Sequence, residues 1–344
     1  MRPDREPCSS DARGGLRFGL EGSNTMPLVS IITPLHDKGT HVVETVRSVL
    51  EQSLTDWEMI VVENGSTDDG PAKVRAFDDP RIRLVVSPRI GPGAARNFGL
   101  TLASGEWILF LDADDLLGTG YLISRLSLLD NSPSADLLVG RWTEFSESQQ
   151  GSPSVKLPGG EGRDKHWLED ASIAFAPWAV HAALVRRSVL SIDPWPEDLD
   201  KFASEDTAFW FPIVQGAHTS YTRDASAHYR VRTSNSRNEL PISRWMDSVE
   251  AVTSRNIAFL DGKGITPNPR RSLFLMKAFE SCYARALLER DHPTSRRALV
   301  LSRHWLKRSP VRNRGVLLRK LLGIPLHQTI TRWVSHITKN TNSL

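Results

Sequence analysis

"EWILFLDADD", Glu106 to Asp115, is the stretch on which the fold turns. An apolar run, Trp107 to Leu111, stops at three acids, Asp112, Asp114 and Asp115. A short apolar run of this kind reads as a buried strand, and acids packed at its end are poor core material. The pattern repeats upstream. "LVSIIT" (Leu28 to Thr33) is a β-branched run that stops at Pro34, and "WEMIVV" (Trp57 to Val62) runs into "ENGSTDD" (Glu63 to Asp69). "RIRLVV" (Arg81 to Val86) is a further strand. Helices are expected between them. "THVVETVRSVLEQS" puts Val42, Val46, Val49 and Leu50 on one face, a short helix is expected near Pro71 to Phe77, and "GPGAARNFGLTLAS" is a turn entering a helix that ends at Ser104-Gly105.

Strands alternating with helices predict an α/β fold with a doubly wound, mostly parallel sheet. Ligands of such sheets sit beyond the carboxyl ends of the strands. The polar clusters at Pro34 to Asp37, Glu63 to Asp68 and Asp112 to Asp115 all fall there, so three strand ends are expected to share one crevice.

Composition bounds the rest. The chain has 344 residues, 40% hydrophobic and 24% charged, as in an ordinary globular protein. Two cysteines, Cys8 and Cys282, are too few for a disulfide framework, which points to a reducing compartment. Residues 1–26 lack a secretion signal's apolar core and read as a disordered leader. No run of about 18 apolar residues predicts a transmembrane helix. From Gly140 the pattern loosens into a Gly-, Ser- and Pro-rich loop, and from about Pro241 it is helical, broken near Thr266–Pro269, His292-Pro293, Pro310 and Pro325. The net charge of +3 divides unevenly: Arg285 to Leu344 holds 13 Lys and Arg against 2 acids, so an acidic body carries a basic tail.

Three constellations carry chemistry. Packed carboxylates such as Asp112 and Asp114 repel one another unless a cation or proton shares the space, and Mg²⁺ or Mn²⁺ bind through one or two carboxylates plus substrate phosphates. An isolated D-x-D is more often a solvated turn, but the buried run before this one favours a site. An EF-hand does not fit, because Leu117 and Ile123 stand where its Gly and Glu belong. In "GPGAARNFG" Arg96 replaces the third glycine of a dinucleotide fingerprint. The helix start and guanidinium there suit a pyrophosphate instead. Glu205 and Asp206 in "ASEDTAFW" either serve a helix dipole or supply a general base.

"PLVSIITPLHD", "EMIVVENGSTDD", "GPGAARNFGLTLASGEWILFLDADD" and "ASEDTAFW" together resemble the family 2 glycosyltransferases with the GT-A fold, closely from about Pro27 to Asp115 and more weakly to about Arg237. The resemblance implies a Rossmann-like nucleotide-binding half within a catalytic domain over residues 27–237, followed by a basic helical region over 238–344. It implies an inverting enzyme that moves a sugar from a nucleotide-diphosphate donor, UDP-sugar by default, to a hydroxyl of a glycan, lipid-linked or cell-envelope acceptor.

By that resemblance Pro34, His36, Glu63, Asn64 and Ser66 line the nucleoside side and Arg96 lies near the nucleotide. Asp112 contacts ribose, Asp114, with Asp112, holds Mn²⁺ or Mg²⁺ on the diphosphate, and Arg232 belongs to the segment closing over it. Asp206, with Glu205 beside it, is the implied base, and Trp178 part of the acceptor wall. Two departures stand out: His36-Asp37 replace the usual Tyr-Asn, and Glu63-Asn64 the usual pair of aspartates. The rivals are a nucleotidyltransferase, for which "PLHDKG" is a poor glycine-rich loop, and an inactive relative acting as a binding protein. A cytoplasmic protein in peripheral contact with anionic membrane through its basic tail is expected, with no nucleic acid as partner.

Overall fold

The computed structural model describes residues 26–146, 153–231, 240–310 and 314–341, the last with side chains to residue 328. Strands β1 (Val29–Leu35), β2 (Trp57–Glu63), β3 (Ile82–Val86) and β4 (Trp107–Phe110) alternate with helices α1 (Val42–Leu50), α2 (Gly70–Arg75) and α3 (Pro92–Leu102). These strands pair in parallel in the order β3-β2-β1-β4. All four side chains of β4 are buried, and each buried apolar side chain of that size is worth about 1.5–3 kcal/mol. Pro34 does not end β1 but lies inside it, opposite Val62. Pairing with β4 has already stopped at Ile32–Phe110, so the missing proline N–H leaves no gap in the ladder.

Beyond β4 the sheet becomes mixed. Short β5 (Leu116–Leu117) and α4 (Tyr121–Leu126) lead to β6 (Leu137–Phe145), β7 (Ser154–Lys156) and α5 (Lys165–Ala171), then β8 (Ala183–Arg186), α6 (Glu205–Val214) and β9 (Thr219–Arg230). Strand β8 pairs antiparallel to both β4 and β6, while β6 and β9 are parallel with a bulge between Gly140 and Trp142. The expected loop after Gly140 is thus partly strand, in the end of β6 and in β7.

Helices α7 (Ile242–Asp261), α8 (Pro269–Leu288), α9 (His292–Arg308) and α10 (Arg314–Thr341) complete the described chain. Three of the expected breaks fall between these helices; at the fourth, Gly323 (φ 75°, ψ 155°) kinks α10 just before Pro325. The helices have their own core, with Met246, Met276 and Phe279 at its centre. A second cluster joins Phe211 of α6 to Leu260, Phe274 and Leu275. The helical region therefore braces α6 from behind, and α6 carries two acids of the site. The boundary expected near residue 237 falls outside the described residues.

Candidate active site

A cleft of about 760 Å³ lies over the carboxyl ends of the parallel strands, within the usual range for small-molecule sites. Of the expected residues, Pro34, His36, Asn64, Arg96, Asp112, Asp114, Trp178, Glu205 and Asp206 line it. Glu63 and Ser66 do not. Glu63 Oε1 accepts the Ser66 amide at 2.5 Å, which folds the β2 end loop on itself. Arg232 lies outside the described residues. Its neighbour Arg230 is in the cleft, with Nε on the Asp114 carbonyl at 2.8 Å and Nη2 on Glu44 at 2.6 Å.

The polar loop ends are tied together largely by their own side chains. Asn64 donates to the Arg89 carbonyl and accepts from the Gly91 amide, both at 2.8 Å. Asp68 accepts the Gly39 amide at 2.6 Å, and Asp37 accepts the Thr67 amide at 2.7 Å. That amide also holds the Asp37 carboxyl below its ordinary range.

The start of α3 corrects one expectation. Its amides are not free for a pyrophosphate: Gly93 and Ala94 donate to the two Asp200 oxygens at 2.8 and 3.1 Å. Asp200 packs so close that a Cβ at Gly91 or Gly93 would stand 2.0 or 2.3 Å from its oxygens. Glycine is required at both positions to admit this carboxylate.

Arg96 ties the ends of the site together. Buried, and 4.2 Å over the Trp195 ring, it donates to Asp112 at 2.6 Å and lies 3.6 Å from Glu205. Burial works against its charge, but Asp112 and Glu205 outweigh it and raise its proton affinity. Asp206 keeps part of its surface open to the cleft, yet the protein mass around it makes ionisation costly. Burial and then the Glu205 charge push its carboxyl up to about 7, with the Thr207 amide and Arg96 pulling the other way. At the floor of the cleft, burial raises Asp115 to about 6 against the pull of His181, 3.1 Å away. Burial alone would lower His181; Asp115 reverses that.

Asp114 meets Lys38, whose Nζ lies 2.8 Å from Oδ2. Sequence reasoning missed Lys38, Asp200 and Arg230. "AHYRVR" offered one cue: alternate strand residues share a face, so Arg230 was as eligible as Arg232. Among the described residues no group of three or more His, Cys, Asp or Glu side chains is arranged to hold a metal ion. The donor set therefore does not make a cage. It fits a hard dication shared between Asp114 and the phosphates of a ligand, the arrangement Mg²⁺ commonly takes, provided Lys38 gives way.

A mixed sheet with a parallel half, a strand-end cleft and a D-x-D facing a buried acid pair define a protein of the GT-A class. The sequence points the same way: residues 30–190 match Glycosyl transferase family 2. The chain is 37% identical over 103 residues to the Escherichia coli UDP-Glc:alpha-D-GlcNAc-diphosphoundecaprenol beta-1,3-glucosyltransferase WfgD, covering 30% of this chain and 41% of that one. It spans about two fifths of the length of the first curated relatives it matches. Staphylococcus aureus TarS residues 1–349, solved with UDP-GlcNAc, shares the fold at TM-score 0.61 and 17% identity over 90% of this chain and 91% of that chain. The mannosyltransferase PcManGT from Pyrobaculum calidifontis, solved with GDP-Man and Mn²⁺, gives 0.52 and 20% identity over 82% and 76%.

Proposed function

We propose that the chain is an inverting glycosyltransferase that uses a nucleotide-diphosphate sugar and an acceptor hydroxyl. The observation that carries this reading is Arg96, which joins Asp112 at the strand end to Glu205 beside Asp206 in one cleft. In the proposed step the acceptor oxygen forms a bond to the anomeric carbon from the face opposite the diphosphate. The bond from that carbon to the phosphate oxygen breaks, and the diphosphate leaves with the electron pair. The acceptor's proton passes to the Asp206 carboxylate, whose affinity near neutrality suits a base at physiological pH.

Pro34 and Asn64 would flank the nucleoside, while Arg96 and Lys38 would face the diphosphate, where fixed cations favour developing negative charge. Asp114, with Asp112 nearby, would share Mn²⁺ or Mg²⁺ with the diphosphate. A dication bound there would supply further charge stabilisation for the leaving group. Asp112 remains the candidate for ribose, through exchange of its Arg96 bond. Trp178, packed 5.2 Å from Trp210 and with an indole N–H that has no acceptor among the described residues, lines the cleft and would form part of the acceptor wall. TarS with UDP-GlcNAc and PcManGT with GDP-Man support a nucleotide-sugar donor of either base.

The acceptor is proposed to be lipid-linked or part of an envelope glycan, in line with the diphosphoundecaprenol acceptor in WfgD's name. No helix among the described residues is long and apolar enough to cross a membrane. Helix α10 instead exposes Leu317, Leu318, Leu321 and Leu322, at 38–72%. From His292 to Leu344 the chain has 11 Lys and Arg and no acid. An apolar helix face among cations suits the surface of an anionic bilayer. Domain limits of 27–237 and 238–344 accompany this reading.

The direct test incubates the full chain with UDP- and GDP-sugars and Mn²⁺, following thermal stability, donor hydrolysis and transfer to lipid-linked glycans. A ligand bound to the native state raises apparent stability. Stabilisation by one nucleotide sugar with release of its diphosphate is expected. No stabilisation and no release across both series would sink the reading.

A further inference from the structure

The side chain seated on Asp114 is a cation of the chain itself. Lys38 Nζ lies 2.8 Å from Asp114 Oδ2, with both side chains largely buried at 20% and 15% exposure. Nothing in this contact is a surface accident, because the loop that delivers Lys38 is pinned on all sides. His36 Nδ1 meets the Asn64 carbonyl at 2.9 Å, Asp37 holds the Thr67 amide, and the Gly39 amide is held by Asp68. Asp37 is even kept at φ 49°, a left-handed conformation uncommon for a residue other than glycine. The Lys38 carbonyl accepts from the His41 and Val42 amides at the start of α1, both at 2.9 Å. Its backbone is fixed, and only the flexible four-carbon stem is left to move.

We infer that Lys38 is an exchangeable counter-ion of Asp114, which excludes a dication while the cleft is empty and moves to a phosphate oxygen when a nucleoside diphosphate binds. The inference rests on the proposed donor reading for the identity of the anion, though its first half concerns the empty protein alone. An ammonium 2.8 Å from a carboxylate oxygen stands where a dication ligated by that oxygen would have to be, and two cations at such separation repel strongly in a partly dry cleft. The other cleft cations are committed to their own partners: Arg96 to Asp112 and Glu205, Arg230 to Glu44. Lysine is a compact point charge on a mobile stem, suited to changing partners in a way a forked guanidinium is not. A diphosphate offers it a second anion within reach, so the nucleotide opens Asp114 to metal and the metal strengthens the nucleotide. Positive coupling of this kind is reciprocal, each ligand raising the other's affinity by the same factor.

The test measures Mn²⁺ binding by water-proton relaxation, and UDP and GDP binding by calorimetry, on the full chain. Wild type, Lys38→Arg, Lys38→Met and Lys38→Gln are compared, with thermal unfolding as a check that each is folded. Without nucleotide, both neutral variants should bind Mn²⁺ at least about tenfold more tightly than wild type, within the usual range of coupling between sites. In EDTA, the same variants should bind the nucleotide diphosphate at least about tenfold more weakly, as expected for loss of a charged hydrogen bond. Lys38→Arg keeps the charge and should still exclude Mn²⁺, but in EDTA it should recover only part of the wild-type nucleotide affinity, because a forked guanidinium changes partners less readily. Equal Mn²⁺ affinity in wild type and the neutral variants overturns the exclusion of metal, and undiminished nucleotide binding in EDTA overturns the exchange. If wild type binds neither UDP nor GDP under any condition, the proposed donor class fails instead, and the Mn²⁺ comparison still decides the role of Lys38 toward Asp114.

Discussion

The cleft and the carboxyl-terminal helices both carry dense charge, but they dispose of it in opposite ways. In the cleft the two acids of the D-x-D each meet a cation of the same chain: Asp112 meets Arg96, and Asp114 meets Lys38. In α9, Arg296, Arg303 and Lys307 recur along one exposed face, and among the described residues no carboxylate pairs with them. Other cations of the helical region are answered from within, among them Arg297 by Asp247 and Glu250, Arg285 by Glu289, and Arg319 by the buried Glu280. Charge balanced internally has to be exchanged for a ligand's charge. Charge left unbalanced is answered only from outside. The first arrangement gives selectivity to a site, and the second gives attraction to a surface.

Replacing Asp206, the cleft acid whose charge burial and Glu205 oppose, gives the largest expected effect. Asp206→Asn keeps the acceptor of the Thr207 amide bond but loses the ability to take a proton. Turnover is expected to fall about 10²- to 10⁴-fold, as for other general bases, with nucleotide-diphosphate affinity nearly unchanged. In the wild type, kcat/KM should rise with pH through about 7 as Asp206 ionises. A transfer assay on the variant, paired with calorimetry, reads both quantities. Normal turnover would move the base elsewhere and remove the functional distinction between Asp206 and the paired acids.

At the other region the effect is smaller and concerns place rather than chemistry. Leu317→Asp with Leu321→Asp puts two acids on the exposed face of α10, where the wild-type leucines are 42% and 72% exposed. Each leucine transferred from water gains about 1.5–3 kcal/mol when fully buried, so partitioning to phosphatidylglycerol vesicles should drop by at least about tenfold. Turnover on a soluble acceptor should not change. Equal partitioning of variant and wild type would leave the basic face alone as the attractant, and insensitivity to salt would remove that too.

The two regions also differed in how far sequence reached them. The strand ends were legible because each apolar run breaks on polar residues at one position, and a parallel sheet gathers such breaks at one edge. Asp112 and Asp114 were found in that way, while Arg96 and Asp206 came from the helix starts in "GPGAARNFG" and "ASEDTAFW" and from the family resemblance. What the pattern hides is pairing between distant segments. Nothing in "PLHDKG" says that Lys38 crosses to Asp114, and nothing in "EDLDK" says that Asp200 occupies the start of α3. The same blindness applies to Glu63 and Ser66, polar residues at a strand end that bond each other behind the wall instead of facing a ligand. The carboxyl-terminal helices were legible as helices from their periodicity and proline breaks. Their exposed face was not, because Leu317, Leu318, Leu321 and Leu322 resemble core leucines until the packing of Val316 and Ile324 shows which side is buried.

The smallest expected effect concerns stability, and it follows from Asp206 being an acid held against its charge. Burial and Glu205 raise its proton affinity in the folded chain to about 7, while an aspartate in the unfolded chain ionises near about 3.9. Between those values the folded state binds more protons than the unfolded state, so stability falls as pH rises through this window and the full penalty is present above it. Asparagine at this position has no proton to lose and keeps the Thr207 bond through the same oxygen. Asp206→Asn should therefore gain on wild type between pH 5 and pH 8, by a few degrees in Tm for a chain of this size, on the order of 2–4 °C per kcal/mol. Asp37 behaves oppositely: its carboxyl is held below the ordinary range by the Thr67 amide, so its contribution is lost only on acidification and does not enter this window. Melting curves of wild type and variant at both pH values give the comparison. A difference in Tm that does not change with pH would mean that Asp206 ionises as an ordinary surface acid. It would then be strained by nothing in the cleft, and a base poised near neutrality would have to be sought at another residue.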